Sequence, residues 1–454
     1  MSYKPEPLET SSCFQSDQKT NKKKNVVSTG SKRKRSLSPP AEHIAVSPGG
    51  DGFLDMPKTR KISHSHCMNI QAFCSSSITG AASSSSVNCA KNSNGGQHKR
   101  MESYQAISDI PAPFQRSLKE EKEKLIAAGK ASQSSAKPAY GLLAQLYSGQ
   151  QIGQLLTKIQ EQGRNGLVDE YYDIKASEPQ MDFKTAKMAE NFTKNRYADV
   201  LCLETTRVKL KGLAYESDYI NANYVDGFDH KKAYISTQGP LENTIKDQWK
   251  LMMQENVRVI VMTTKLAERG KIKCDAYWPL EPLETCDYGK IKVVNLGIAN
   301  KGDYQITLLE ATHKETKEVR RMKHFLFLSW PDYGVPPDAN GFLKFLFHVR
   351  KAQHEFTKDI EWKAHPRGPP IVVHCSAGIG RTGTFIAIDI SVYMLDATAK
   401  TNIEKVVRNI RKQRAFSIQM PDQYLFCHLA LVQYAVKMGK LKTSVDVQTL
   451  LFDE

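Results

Sequence analysis

The sequence predicts an α+β fold, a mixed β-sheet covered by helices, and three observations lead there. Strand candidates cluster between residues 219 and 329, and the longest helical patterns follow residue 340. A short apolar run, Pro369-Pro370-Ile371-Val372-Val373, then passes straight into a glycine-rich turn. The strict strand–helix alternation of a barrel is missing, and no repeat with a period of about 20–50 residues is visible.

Composition sets a basic extension at 1–150 apart from the remainder, a core region at 151–440 followed by a C-terminal tail at 441–454. Residues 1–150 hold 21 Lys+Arg against 11 Asp+Glu, which is +10 of the formal +16, and none of the four tryptophans. Serine, lysine and asparagine dominate there, so little apolar surface is available to offset the entropy of ordering, and disorder is expected. Lys32-Arg33-Lys34-Arg35 is a compact basic cluster suited to an import receptor or an anionic membrane surface, and Ser38-Pro39 and Ser47-Pro48 are candidate phosphorylation sites beside it. Nucleic-acid binding would rest on this extension alone and is not expected of the rest of the chain. No run approaches the ~18 apolar residues of a membrane span and no charged-then-apolar leader opens the sequence, so a cytoplasmic protein is expected, with nuclear entry through Lys32–Arg35 as a further option. Nine scattered cysteines show neither zinc-type spacing nor a paired framework, so reduced thiols and no metal are expected.

Along the chain, Gln115 to Ala128 is charged and helix-permissive but lacks a wide apolar face, as a marginal linker helix would. Ile152, Leu155, Leu156 and Ile159 recur at helical spacing, Gly163 and Gly166 read as a stop, and 168–174 as a second helix. Strands are expected at 219–225, 233–237, 257–262, 291–296 and 323–329. Helices are expected at 243–254, 340–353, 384–395, 402–412 and 422–437.

The ten residues His374-Cys375-Ser376-Ala377-Gly378-Ile379-Gly380-Arg381-Thr382-Gly383 carry the chemistry. Glycines 378, 380 and 383 let the backbone curl between strand and helix, so that successive N–H groups can face one anion at the positive end of a helix dipole. A cysteine thiolate is a strong nucleophile, and such surroundings favour the negative form of Cys375. Arg381 can curl back with two parallel donors for phosphate oxygens. Thr382 would set a hydroxyl near the sulfur.

Val373 to Thr384, VHCSAGIGRTGT, resembles the signature of the tyrosine-specific protein phosphatases, and the resemblance extends over about residues 150 to 440. It implies a highly twisted mixed sheet flanked by helices, protein substrates carrying phosphotyrosine, and a phosphocysteine intermediate formed without cofactor or metal. Cys375 is then the nucleophile, with Arg381 and the loop residues Ser376, Ala377, Gly378, Ile379 and Gly380 on the phosphate. His374 and Thr382 support them.

Trp330-Pro331-Asp332-Tyr333-Gly334-Val335-Pro336 resembles the family's mobile acid loop. An aspartate in a turn is by itself most often a turn former; the resemblance makes Asp332 the general acid and Trp330 its anchor. Lys194 to Val200 resembles the phosphotyrosine-recognition loop, in which Tyr197 would wall a deep pocket and Asp199 accept N–H groups of the substrate peptide. Lys273, in KCDAYWP, would sit near the closed acid loop, and Glu268 would hold Arg381 in place. Gln413 to Tyr424 resembles the glutamine loop, making Gln419 the residue that positions water and Gln423 its support, with Met420 where threonine is usual. Cys202 to Leu210, Phe327 to Trp330 and Arg414 to Gln419 look most like the non-receptor type 9 subtype, although nothing in residues 1–150 resembles that subtype's lipid-binding module.

The competing reading is a phosphotyrosine-binding pseudoenzyme or scaffold. Cys375, Arg381, Asp332 and Gln419 all stand in one chain, and a pure binder has no use for an acid and a water-positioning amide.

Overall fold

The structure is a computed structural model that describes residues 149–212, 217–359 and 367–453. The expectations for the basic extension, its Lys32–Arg35 cluster, the stretch 115–128 and four of the cysteines lie outside the described residues.

Strand β1 (Gln150–Gln151) leads into helix α1 (Ile152–Ala176). Next come β2 (Arg207–Lys209), β3 (Tyr219–Val225), β4 (Tyr234–Thr237), α2 (Ile245–Gln254) and β5 (Val259–Met262). A small hairpin, β6 (Ala267–Glu268) and β7 (Lys271–Ile272), precedes an antiparallel run of β8 (Thr285–Tyr288), β9 (Ile291–Asn300), β10 (Tyr304–His313) and β11 (Val319–Phe327). The last part holds α3 (Asn340–Asp359), β12 (Ile371–His374), α4 (Gly380–Thr398), β13 (Lys400–Thr401), α5 (Ile403–Arg411), α6 (Pro421–Lys437) and α7 (Val447–Phe452).

Among the described residues, nine strands form one mixed sheet in the order β2-β3-β4-β12-β5-β11-β10-β9-β8. Its middle four, β4, β12, β5 and β11, are parallel, and the flanks are antiparallel. Both faces are buried, as parallel strands require, and the period-2 alternation sorts the side chains. Val259, Val261, Ile371 and Val373 enter the core shared with most of the helices, whereas Ile260, Met262 and Val372 enter a second core with α2 and Trp249. β12 therefore ends at the centre of the sheet, and the loop after it emerges at the carboxyl edge of parallel strands, where open sheets place their ligands.

Local chemistry explains several boundaries. Asn402 caps α5 by accepting from Lys405 N–H at 2.9 Å, and Pro421 stands in the first turn of α6, where a missing N–H costs nothing. The stop expected at Gly163 is a kink: Gly163 takes φ 58° and ψ −162°, and the helix resumes with Leu167, Tyr171 and Ile174 buried. α4 begins at Gly380 rather than at Thr384, so half of the glycine loop is its first turn. β10 was not anticipated from the sequence; its alternating Gln305, Thr307, Leu309 and Ala311 pair with β9 and β11 on both edges. The segment 441–454, expected as a tail, carries α7, whose Val447 and Leu451 are buried against α1 and α6. Among the described residues no helix is long and apolar enough to cross a membrane.

Candidate active site

The loop after β12 sorts its main chain by polarity. Its carbonyls are bonded outward: Ser376 O accepts from Gly239 N–H at 2.9 Å, Ala377 O from Arg414 Nη2 at 3.0 Å, and Gly378 O from Ser236 Oγ at 3.0 Å and Arg414 Nε at 3.1 Å. Ile379 O accepts from the N–H groups of Gly383 and Ile418, both at 3.0 Å. The N–H groups of Ser376, Ala377, Ile379, Gly380 and Arg381 have no such partner among the described residues, and Gly378 N–H donates to Cys375 Sγ at 3.3 Å. With every carbonyl turned away, the concave side is lined by donors around a buried sulfur, which is an anion cradle.

The three glycines do different work. Only Gly378 needs conformational freedom: its φ is 71°, and a Cβ there would clash with Thr237 O at 2.1 Å. At Gly380 a Cβ would stand 3.0 Å from the Gln423 amide, and at Gly383 it would stand 2.7 Å from Ile418 N, so these two permit close approach of the glutamine loop. Thr382 is buried, and its hydroxyl bonds neither the sulfur nor any other described group.

His374 lies beneath the loop in a buried string of hydrogen bonds. Its Nδ1 is 3.1 Å from the Cys375 carbonyl, so Nδ1 carries the proton and Nε2 accepts from Tyr277 Oη at 2.7 Å. Tyr277 Oη has then used its proton, and His324 Nε2–H donates to it at 2.8 Å. Burial lowers the His374 pKa to about 4 from the usual 6.5, and burial does the same to His428 in α6. The unfolded chain takes up these protons near pH 6.5 and the folded one only near pH 4, so below 6.5 the unfolded state binds more protons. Stability that is complete above pH 6.5 is therefore lost as pH falls through 4, by about 3 kcal/mol for each of the two imidazoles. Urea unfolding at a series of pH values checks this; a constant midpoint between pH 7 and about 4.5 would contradict it.

Arg381 reaches back from α4 and is held from two sides. Its Nη1 and Nη2 meet Glu268 Oε1 and Oε2 at 2.6 and 3.1 Å, and Nη1 also donates to Thr263 O at 3.2 Å. Burial pushes the Glu268 carboxyl up, but the hydrogen bonds and charge of Arg381 outweigh it and leave the group below its usual value. Nη2 also donates to Pro331 O at 3.2 Å, joining the arginine to the main chain beside Asp332. Trp330 anchors that loop: it is buried, packs edge-on against Phe327, Phe342 and Phe426, and donates from Nε1 to Gly334 O at 3.1 Å. Asp332 is partly exposed, and its Oδ2 accepts from Arg269 Nε at 3.2 Å.

On the opposite wall, Ser376 Oγ donates to Lys273 O at 2.8 Å, so the 2.8 Å contact between Tyr197 Oη and Ser376 Oγ has Tyr197 as donor. Arg196 fixes this segment by donating to Gly239 O, Pro240 O and Asp275 Oδ2 at 2.9, 2.6 and 2.6 Å. Asp199 is exposed, with its carboxylate unbonded among the described residues. Cys274, next to Lys273, is buried, and burial pushes its thiol well up.

Gln419 is exposed on a loop whose backbone is unusual. Phe416 and Ile418 have φ 62° and 61°, a conformation that persists only when surroundings enforce it. Here Arg411 Nη1 donates to Ser417 O at 2.8 Å and Tyr171 Oη to Gln419 O at 2.7 Å. Gln423 Oε1 accepts the N–H groups of Gln419 and Met420 at 2.9 and 3.3 Å, so its carbonyl end braces the loop. Sequence reasoning passed over Arg414. It is fully buried, and besides the two loop carbonyls it donates to Asn221 Oδ1 and Asn223 Oδ1 on β3 at 2.7 and 2.9 Å. The available signal was a charged residue set against Ala415 and Phe416.

Fold and loop together define a protein centred on a main-chain anion cradle, with a cysteine at its floor and an aspartate loop and an aromatic wall at its sides. The Protein-tyrosine phosphatase family model matches residues 191–433, more than half of the chain, and the chain belongs to that family. It is 44% identical over 300 residues to Tyrosine-protein phosphatase non-receptor type 9 of Homo sapiens, covering 65% of this chain and 51% of that protein. It is 38% identical over 293 residues to Tyrosine phosphatase H2 of Microplitis demolitor bracovirus (isolate Webb), covering 63% of this chain and 89% of that protein. Against Receptor-type tyrosine-protein phosphatase eta of Mus musculus the identity is 39% over 270 residues, 59% of this chain and 21% of that one. The chain thus spans about half the length of the type 9 relative, whose subtype the sequence motifs already resembled.

Proposed function

We propose that this protein hydrolyses phosphotyrosine in proteins through a phosphocysteine intermediate. In the first step Cys375 Sγ attacks phosphorus in line while the bond to the tyrosyl oxygen breaks, and Asp332 gives that oxygen its proton. In the second, water oriented by Gln419 passes a proton to Asp332, attacks phosphorus and displaces the sulfur, releasing phosphate. The loop N–H groups and Arg381 stabilise the equatorial oxygens in both steps, so positioning and fixed dipoles supply most of the rate.

The observation that carries this reading is the sorting of residues 375–381, with carbonyls bonded outward and donors left around the sulfur. The Tyr197–Ser376 contact supports the choice of tyrosine, because it sets an aromatic ring directly at the rim of the cradle, where a phenyl group can stack. A short phosphoserine side chain reaches less far below such a rim.

The test compares the purified protein on a phosphotyrosine peptide, the matching phosphoserine peptide and a phosphoinositide. A preference for phosphotyrosine of at least roughly 10³-fold in kcat/KM is expected. Comparable rates on either alternative would overturn the assignment of substrate class.

A further inference from the structure

β6 and β7 are joined by Arg269 and Gly270 alone, with Ala267 opposite Ile272 and Glu268 opposite Lys271. Both joining residues have positive φ, 52° and 69°, as a two-residue type I′ turn requires. Asn-Gly is the favoured pair in such a turn, and a long side chain at its first position is disfavoured by contact between its Cβ and the backbone. An arginine stands there, held in that conformation by its surroundings.

It grips two consecutive residues of the acid loop. Nε donates to Asp332 Oδ2 at 3.2 Å, and the guanidinium lies 3.1 Å from the centroid of the Tyr333 ring, which is itself largely exposed. Asp332 Oδ1 has no hydrogen-bond partner among the described residues. The same loop is tied from the pocket side by Arg381, which donates to Pro331 O. Main chain and carboxylate are therefore held by two different arginines, one on either side of the loop.

We propose that Arg269 is a positioning residue for the general acid. By holding Oδ2 and stacking on Tyr333 it fixes the rotamer of Asp332, so that Oδ1 is the oxygen presented to the tyrosyl oxygen. When the Oδ1 proton passes to that oxygen and the phosphorus–oxygen bond breaks, Asp332 is left negative beside a cation already in contact with it. This inference rests on the acid role given to Asp332 above.

Arg269→Asn is the informative variant, because it restores the preferred turn pair while removing the grip. Its thermal midpoint is expected to equal or exceed that of the parent. Its kcat/KM is expected to fall roughly tenfold or more on phenyl phosphate, whose leaving oxygen needs a proton, and to change little on a dinitrophenyl phosphate, whose leaving oxygen does not. Arg269→Lys, which keeps a cation without the planar stack, should recover part of the loss. An equal loss on both aryl phosphates, or no loss on either, would overturn the proposal. Asp332→Ala measured alongside separates the two readings. If that variant also lacks the leaving-group dependence, the acid assignment itself fails; if it shows the dependence and Arg269→Asn does not, only the role of Arg269 is lost.

Discussion

Cys375→Ser is expected to lower turnover of a phosphotyrosine peptide on the order of 10⁵-fold while leaving peptide affinity within about threefold. A serine hydroxyl stays protonated at neutral pH and is a poor nucleophile without a base beside it. His374, the adjacent imidazole, cannot serve as that base, since both of its nitrogens are committed, one to the Cys375 carbonyl and one to Tyr277. Binding is expected to survive because the proposed phosphate donors, main-chain N–H groups and Arg381, are not altered. Only the contact with the Gly378 N–H changes, from sulfur to a smaller oxygen. Single-turnover kinetics and titration with a phosphopeptide read the two quantities separately. A variant retaining more than about one part in a hundred of parental turnover would remove Cys375 from the role of nucleophile.

Asp332→Ala is expected to lower kcat by about 10² to 10⁴-fold with little change in KM, the range over which a positioned acid contributes. The split follows from geometry. The carboxylate stands on a loop joined to the pocket through Pro331 O and Arg381, whereas the proposed phosphate donors lie on the loop after β12. Fold stability should barely move, because the ion pair with Arg269 is partly exposed and such pairs contribute under about 1 kcal/mol. A variant that binds and does not turn over would retain substrate long enough to be isolated with it. Equal losses in kcat and affinity would indicate a collapsed pocket instead of a missing acid.

The elements legible in the sequence were those in which one physical signal dominates. β3 and α6 follow from a compact β-rich run and from a proline start with an apolar face, and both lie within a residue of the expected bounds. β10 escaped because its alternation mixes threonine, glutamine and glutamate with leucine, and its burial is set by β9 and β11 on either edge. The sequence pattern starts α4 four residues late because its first turn is glycine-rich, where propensity alone does not start a helix; Ile379 O, accepting from the N–H groups of Gly383 and Ile418, fixes that turn.

At the site, motifs marked candidate residues, while contacts show how several of them are held. Gln423 braces the main chain of the glutamine loop, and the buried Thr382 hydroxyl makes no hydrogen bond to the sulfur. The contacts of Arg269 and Arg414 could not be read from the sequence, since their partners are carbonyls, asparagines and an aspartate distant along the chain. Spacing between neighbours says nothing about such contacts.

The C-terminal helix has a consequence for anyone handling this protein. Arg164 donates to Leu451 O at 2.8 Å and to Asp422 Oδ1 at 3.0 Å, so one side chain spans α7 and the first turn of α6, just beyond Gln419. Tyr171, on the same α1 helix as Arg164, supports Gln419 O directly. Clipping or fusing the chain within its last dozen residues is therefore expected to work like loosening the back screw of a hinge: the cradle around Cys375 stays intact, while the Gln419 loop, proposed to orient water, loses its brace.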